Sequence, residues 1–180
     1  MRVYIPATIA MLRRMVADGK LSPVSGTAFA VTPALRESYA SGNTEELEYA
    51  AMADAARASL RLLAGSLDES VTDYTGGSDP PGDVPDPVRR VVVCADVEGV
   101  RLRPELDYGA VTLPGPVPDS AVAAVYVDLP EASDAVRAAA AVIDAADMGD
   151  PDAEFTVGDA DDHDLAWYAP QEVPFLLELL

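Results

Sequence analysis

VRRVVVCADV, residues 88–97, decides how the chain folds. Three consecutive valines, Val91 to Val93, put β-branched side chains on both sides of the backbone, which favours a strand over a helix. An apolar run with no polar alternation predicts a strand covered on both faces, hence one in the middle of a sheet. Cys94 falls inside this run, where apolar surroundings keep a thiol protonated and inert.

Outward from this strand, RVYI at 2–5 and VAAVYVD at 122–128 have the same character, and all three are expected at the sheet centre. TAFAVT (27–32), AVTL (110–113) and LAWY (165–168) read as shorter strands. Helix signals lie between them. Thr8 is placed to cap a helix that Gly19 stops near Ala17, and Thr32-Pro33 opens another that ends at Gly42. Asn43 stands in capping-box spacing with Glu46, at the head of a long helix reaching about Ala64. One apolar stripe on that helix runs through Tyr49, Met52, Ala56 and Leu60, a second through Leu47, Ala51, Ala58 and Leu62, so burial on two sides is expected. Asp128, three residues before Glu131, marks by the same logic a helix to about Ala146, and a last helix follows Pro170. The expected fold is a single α+β domain over residues 1–180, with a mixed sheet of five or six strands and flanking helices. Residues 68–87, rich in Gly, Pro, Asp and Ser, read as a flexible loop.

A candidate internal repeat runs across this pattern. RVYIPATIAMLRRMV followed by TAFAVTPALRES, and AVYVDLPEASDAVRAAAAVI followed by LAWYAPQEVPFLLEL, both read strand, proline, helix, strand, proline, helix. Two βαβα halves would match Tyr4 with Tyr126, Phe29 with Trp167 and Pro33 with Pro170. Trp167, set against Phe29, is therefore expected to be buried. The opening MRVYIPATIAMLRRMVADGKL and the stretch from GTAFAVTPALRES to Leu63, with residues 88–97 and 122–128, resemble an uncharacterised family of acidic, cytoplasmic actinobacterial proteins. The resemblance implies a cytoplasmic protein of a GC-rich bacterium and supplies no catalytic residue. The use of eleven arginines against one lysine, Lys20, agrees with it.

The net charge of −19 is unevenly spread. Residues 1–61 hold seven basic and six acidic side chains, whereas residues 62–180 hold five basic and twenty-five acidic. After Arg137 eleven acids follow and no lysine or arginine. Such a surface repels phosphate backbones, so direct nucleic-acid binding is not expected. No apolar run approaches the roughly 18 residues of a membrane span, and the N-terminus, with Arg13 and Arg14 close behind it, lacks an export-signal pattern. A lone cysteine fits a reducing compartment. The reading is a cytoplasmic protein without membrane contact.

Candidate chemistry concentrates in GDADDHDLAWYAP, residues 158–170, which holds the only histidine and the only tryptophan. A calcium loop counted from Asp159 needs glycine at the sixth position and glutamate at the twelfth, but finds Asp164 and Pro170. One histidine and one cysteine cannot build an ordinary zinc shell. His163 as general base is disfavoured by the surrounding aspartates, which stabilise its charged form. Asp159 to Asp164 are thus expected to form a solvated, metal-free turn. Phosphate-loop, dinucleotide and nucleophile-elbow motifs are missing. Asp54, Arg57 and Arg61 read as a solvated helix face joined by weak ion pairs. The sequence therefore assigns no catalytic, cofactor-binding or metal residue and no cofactor. The expected role is non-catalytic, an interaction or regulatory protein for a basic protein partner. A small-molecule enzyme with a dispersed Asp/Glu/Arg/Tyr site and an acidic mimic of nucleic acid stay open beside it.

Overall fold

A computed structural model describes residues 1–72 and 86–180. In chain order the elements are β1 (Arg2–Ala7), α1 (Ile9–Asp18), β2 (Lys20–Leu21), β3 (Thr27–Phe29), α2 (Pro33–Ser38) and α3 (Thr44–Thr72). There follow β4 (Val91–Asp96), β5 (Arg101–Leu102), β6 (Ala110–Thr112), β7 (Val117–Pro118) and β8 (Val122–Asp128). The chain closes with α4 (Ser133–Asp147), α5 (Pro151–Asp161), β9 (Leu165–Tyr168) and α6 (Val173–Glu178).

The fold is α+β. One sheet has seven strands in the order β5-β6-β3-β1-β4-β8-β9, and β2 pairs with β7 in a separate ribbon. Every pairing is antiparallel, unlike the mixed sheet expected from sequence. β1 and β8 do run in the same direction, but β4 lies between them and opposes both. The strand count exceeds six by β5 alone, whose two residues are too short to show a period. β4 is central as predicted, and Val91, Val92 and Val93 are each fully buried.

Successive residues of the sheet feed two cores. Val3, Ile5, Val91, Val93, Val125 and Val127 meet α1 and α6 on one face. Tyr4, Phe29, Val92, Cys94 and Ala124 meet α2 and the first half of α3 on the other. The second half of α3, through Leu60 and Leu63, packs on the small residues of α4 and α5, Ala139, Ala140 and Ala153 among them. Burial on two sides of α3 is thus realised by different halves of the helix. Ser59 fixes its height over the sheet: its hydroxyl donates to Ala7 O at 2.8 Å and accepts from Val91 N at 3.1 Å.

The caps follow the sequence in part. Thr8 Oγ1 accepts from Met11 N at 3.2 Å, and Gly19 closes α1 at φ 74°, a left-handed conformation that glycine adopts without a Cβ penalty. Asn43 and Glu46 form the predicted reciprocal cap, with Glu46 N donating to Asn43 Oδ1 at 2.9 Å. α2, however, ends at Ser38 rather than Gly42, and α3 continues past Ala64 to Thr72, into the segment read as a loop. The rest of that expected loop falls mostly on 73–85, outside the described residues. Asp128 does not cap a helix: a short 3-10 turn, Pro130–Ala132, leads into α4, which has no side-chain cap.

Asp128 is instead half of a buried ion pair. Arg90 donates from Nε to Oδ2 at 2.9 Å and from Nη2 to Oδ1 at 2.7 Å, and its own backbone N–H reaches Oδ2 at 2.7 Å. Removing one member of such a pair strands a charge in the core. Asp128→Asn is therefore expected to cost about 3–5 kcal/mol in urea unfolding, whereas the apolar double replacement Arg90→Met/Asp128→Leu should cost far less. Equal losses would show that packing, not charge pairing, sets the penalty.

Candidate functional site

α3 carries Asp54, Arg57 and Arg61 on the side facing the α4–α5 hairpin and the loop between β5 and β6. Sequence spacing set Asp54 against Arg57, but the structure separates their roles. Arg61 forks onto Asp147 at the end of α4, with Nε to Oδ2 at 2.7 Å and Nη2 to Oδ1 at 2.9 Å. Arg57 Nη2 lies 3.2 Å from Glu154 Oε1 of α5 and 3.5 Å from Asp147 Oδ1. These links cross between helices and hold the hairpin to α3. The hydrogen bonds from Arg61 keep the Asp147 carboxyl below its usual range.

Asp54 has no ion-pair or hydrogen-bond partner among the described residues. Burial first, then the negative charge of Asp107, push its carboxyl up to about 6, against the opposing pull of Arg61 and Arg57. Asp107 arrives from the loop before β6, which sits tight against the end of β3. Ala30 N donates to Gly109 O at 2.9 Å, and a Cβ on Gly109 would stand only 3.2 Å from Ala30 O. A side chain there would push this loop, which carries Asp107, away from the end of β3.

Two cavities share the Asp54–Arg57 wall. One, of about 480 Å³, lies between Asp54, Arg61, Asp107 and Asp147 with Phe29 and Leu106 beside them. The other, of about 300 Å³, opens toward the start of β9 and is lined by Tyr49, Met52, Asp54, Asp161, His163 and Asp164 among others. Its cations are already engaged, Arg57 by Glu154 and Arg90 by Asp128. Burial raises the Asp161 carboxyl, while Arg90, 3.8 Å away, pulls it down.

The two halves of residues 158–170 fall differently from the sequence reading. Asp159 to Asp161 are the last turn of α5 rather than a loop, because Asp150 caps that helix from Asp152 N and Ala153 N with Pro151 at its first position. His163 does sit in the following turn, where its backbone oxygen accepts from Arg90 Nη2 at 2.8 Å, and the residue borders the smaller cavity. LAWY forms a strand as expected, but Trp167 is 58% exposed, not buried. The matched positions are cross-strand neighbours in both halves, Tyr4 with Phe29 and Tyr126 with Trp167. α3 and α2 cover the first pair, leaving Phe29 7% exposed, whereas of the second pair only Tyr126 is partly covered. Cys94 is the core thiol the sequence implied, pushed up to about 11 by burial.

The arrangement is an α+β domain with an acidic cleft between its longest helix and one end of the sheet. The chain belongs to DUF6912, a family of unknown function, and matches it over residues 1–177. No curated protein and no solved structure matches the chain.

A raised folded-state pKa at Asp54 has a defined sign. The unfolded carboxyl titrates near 3.9, so the fold favours the protonated form; stability is highest below that value and falls as pH rises toward about 6. Asp54→Asn removes the penalty. In paired urea melts it is expected to be more stable than the parent at pH 7.5, by on the order of 1–2 kcal/mol after allowance for partial exposure, and no more stable at pH 3.5. A gap independent of pH would contradict the assigned cause.

Proposed function

We propose that the protein is a non-catalytic interaction protein whose cleft receives basic side chains of a protein partner. The observation that carries this reading is the smaller cavity: Asp54, Asp161 and Asp164 line it, while its two arginines make their close contacts with Glu154 and Asp128, Arg90 reaching Asp161 only at 3.8 Å. A lysine or arginine entering there adds a close cation to carboxylates that have none in hydrogen-bond range, with Tyr49, Met52 and Leu165 to receive its aliphatic stem. Tyr49 is exposed enough to meet a cation with its ring face. No described helix is long and apolar enough to cross a membrane. A cytoplasmic setting is part of the proposal, supported by the lone, buried, free cysteine.

Asp54 favours one second reading, an enzyme acting on a small molecule, because a carboxyl titrating at about 6 is suited to proton transfer near neutrality. In that case Asp54→Asn would abolish turnover while leaving the capture of basic peptides weakened only modestly.

Trp167 reports the binding test directly, being the only tryptophan, exposed, and two residues along β9 from Leu165 of the cleft lining. Hexa-arginine added at low salt is expected to shift its emission with a saturable curve. The double variant Asp161→Asn/Asp164→Asn should weaken binding about tenfold, and raising salt should weaken it further. Saturation indifferent to both salt and these substitutions would overturn the reading.

A further inference from the structure

The sheet ends differently on its two sides. At one edge β5 is two residues long and carries Arg101, with Arg103 just beyond it; shortness and charge are devices that keep sheet edges from pairing. At the other edge β9 has four residues, Leu165-Ala166-Trp167-Tyr168, with no charge, no proline and no bulge. Among the described residues the backbone of β9 hydrogen-bonds only across to β8, so its outer row of N–H and C=O groups is open. On the face it shares with Tyr126, Leu165 and Tyr126 are partly covered by the core beneath α3, whereas Trp167 is exposed, and Leu165 borders the acidic cleft.

Charge identifies the occupant. Asp162 and Asp164 precede β9 and Glu172 follows it, in a stretch without lysine or arginine after Arg137. A second copy of this chain would bring the same acids against them, and like charges set opposite each other on paired strands are destabilising. Resting on the proposed basic-partner function, we infer that β9 is a docking edge on which an extended segment of that partner, alternating lysine or arginine with apolar residues, adds as an eighth strand. Alternation follows from strand geometry, which sends successive side chains to opposite faces. One set of the guest's side chains then lies along Trp167 and reaches the carboxylates at the cleft, while its backbone satisfies the open edge. Asp164 and Pro170 bound the edge, so pairing extends over about four residues, roughly 13 Å.

The test uses the full chain and two capped peptides of equal charge, Arg-Val-Arg-Val-Arg-Val and Arg-Pro-Arg-Pro-Arg-Pro. Proline has no N–H and is excluded from ladder pairing, so the second peptide keeps the charge and loses the strand. Strand addition predicts at least tenfold tighter binding of the valine peptide, together with slowed hydrogen exchange at Ala166 to Tyr168. Equal binding of both, with exchange in β9 unchanged, overturns the docking edge and leaves the basic-partner function standing. Binding of neither peptide at millimolar concentration overturns both. Protection of β9 that rises with protein concentration alone, with a dimer in light scattering, assigns the edge to a second copy and overturns the inference.

Discussion

Arg90 and Asp128 meet in the interior with almost no solvent contact, the arginine 2% exposed and the aspartate fully covered. Desolvating two ions costs several kcal/mol each, and the cost is offset only where geometry and further hydrogen bonds are good. Here the fork is bidentate, Asp128 also takes the backbone N–H of Arg90, and Asp128 N returns a bond to Arg90 O at 3.1 Å. The start of β4 and the end of β8 are thereby held in register. The same guanidinium then reaches His163 O, so the turn that begins the cleft rim is positioned from the core. Core and candidate site share one side chain.

A similar economy governs the rest of the charge. Arg57 and Arg61 join α3 to the hairpin, Arg2 pairs with Asp96 across β1 and β4, Arg13 with Asp86, and Arg103 with Glu105. With so many of the few bases committed to internal links, the field outside the molecule is set by carboxylates. Such a field acts at a distance of about a Debye length and raises encounter rates with cationic partners, while exposed pairs such as Arg2–Asp96 add little to stability.

Much of the architecture was legible because it is local. Three valines in a row announced the central strand, and Thr8, Gly19, Thr32 and the Asn43–Glu46 box announced their helix ends, since caps act within one turn. α5 was missed: Asp150-Pro151 is the same cap-plus-proline signal as Thr32-Pro33, but the density of aspartates beyond it masked the helix. Trp167 was misplaced for a different reason. Its strand was read correctly, yet burial depends on which elements lie above a strand, and α3 passes over Phe29 without reaching Trp167. Asp128 had plausible cap spacing and a stronger partner 38 residues upstream, which spacing does not reveal. The Asp54–Asp107 approach is of the same kind, made by a loop that a glycine lets close. The site was invisible in sequence because its members lie on α3, α5 and two turns, joined only by tertiary packing.

The position of β4 also governs how the chain is assembled as it leaves the ribosome. β1 emerges first, but its longer pairing is with a strand some ninety residues later, Arg2 meeting Asp96 across a separation of 94. When β4 does emerge, Arg90 has no counter-ion until Asp128 follows it out. A nascent chain halted between the two would have to choose between an open sheet and an unpaired buried cation. The domain therefore has no early stopping point at which its first half is complete, and its closure is a late, concerted event of synthesis.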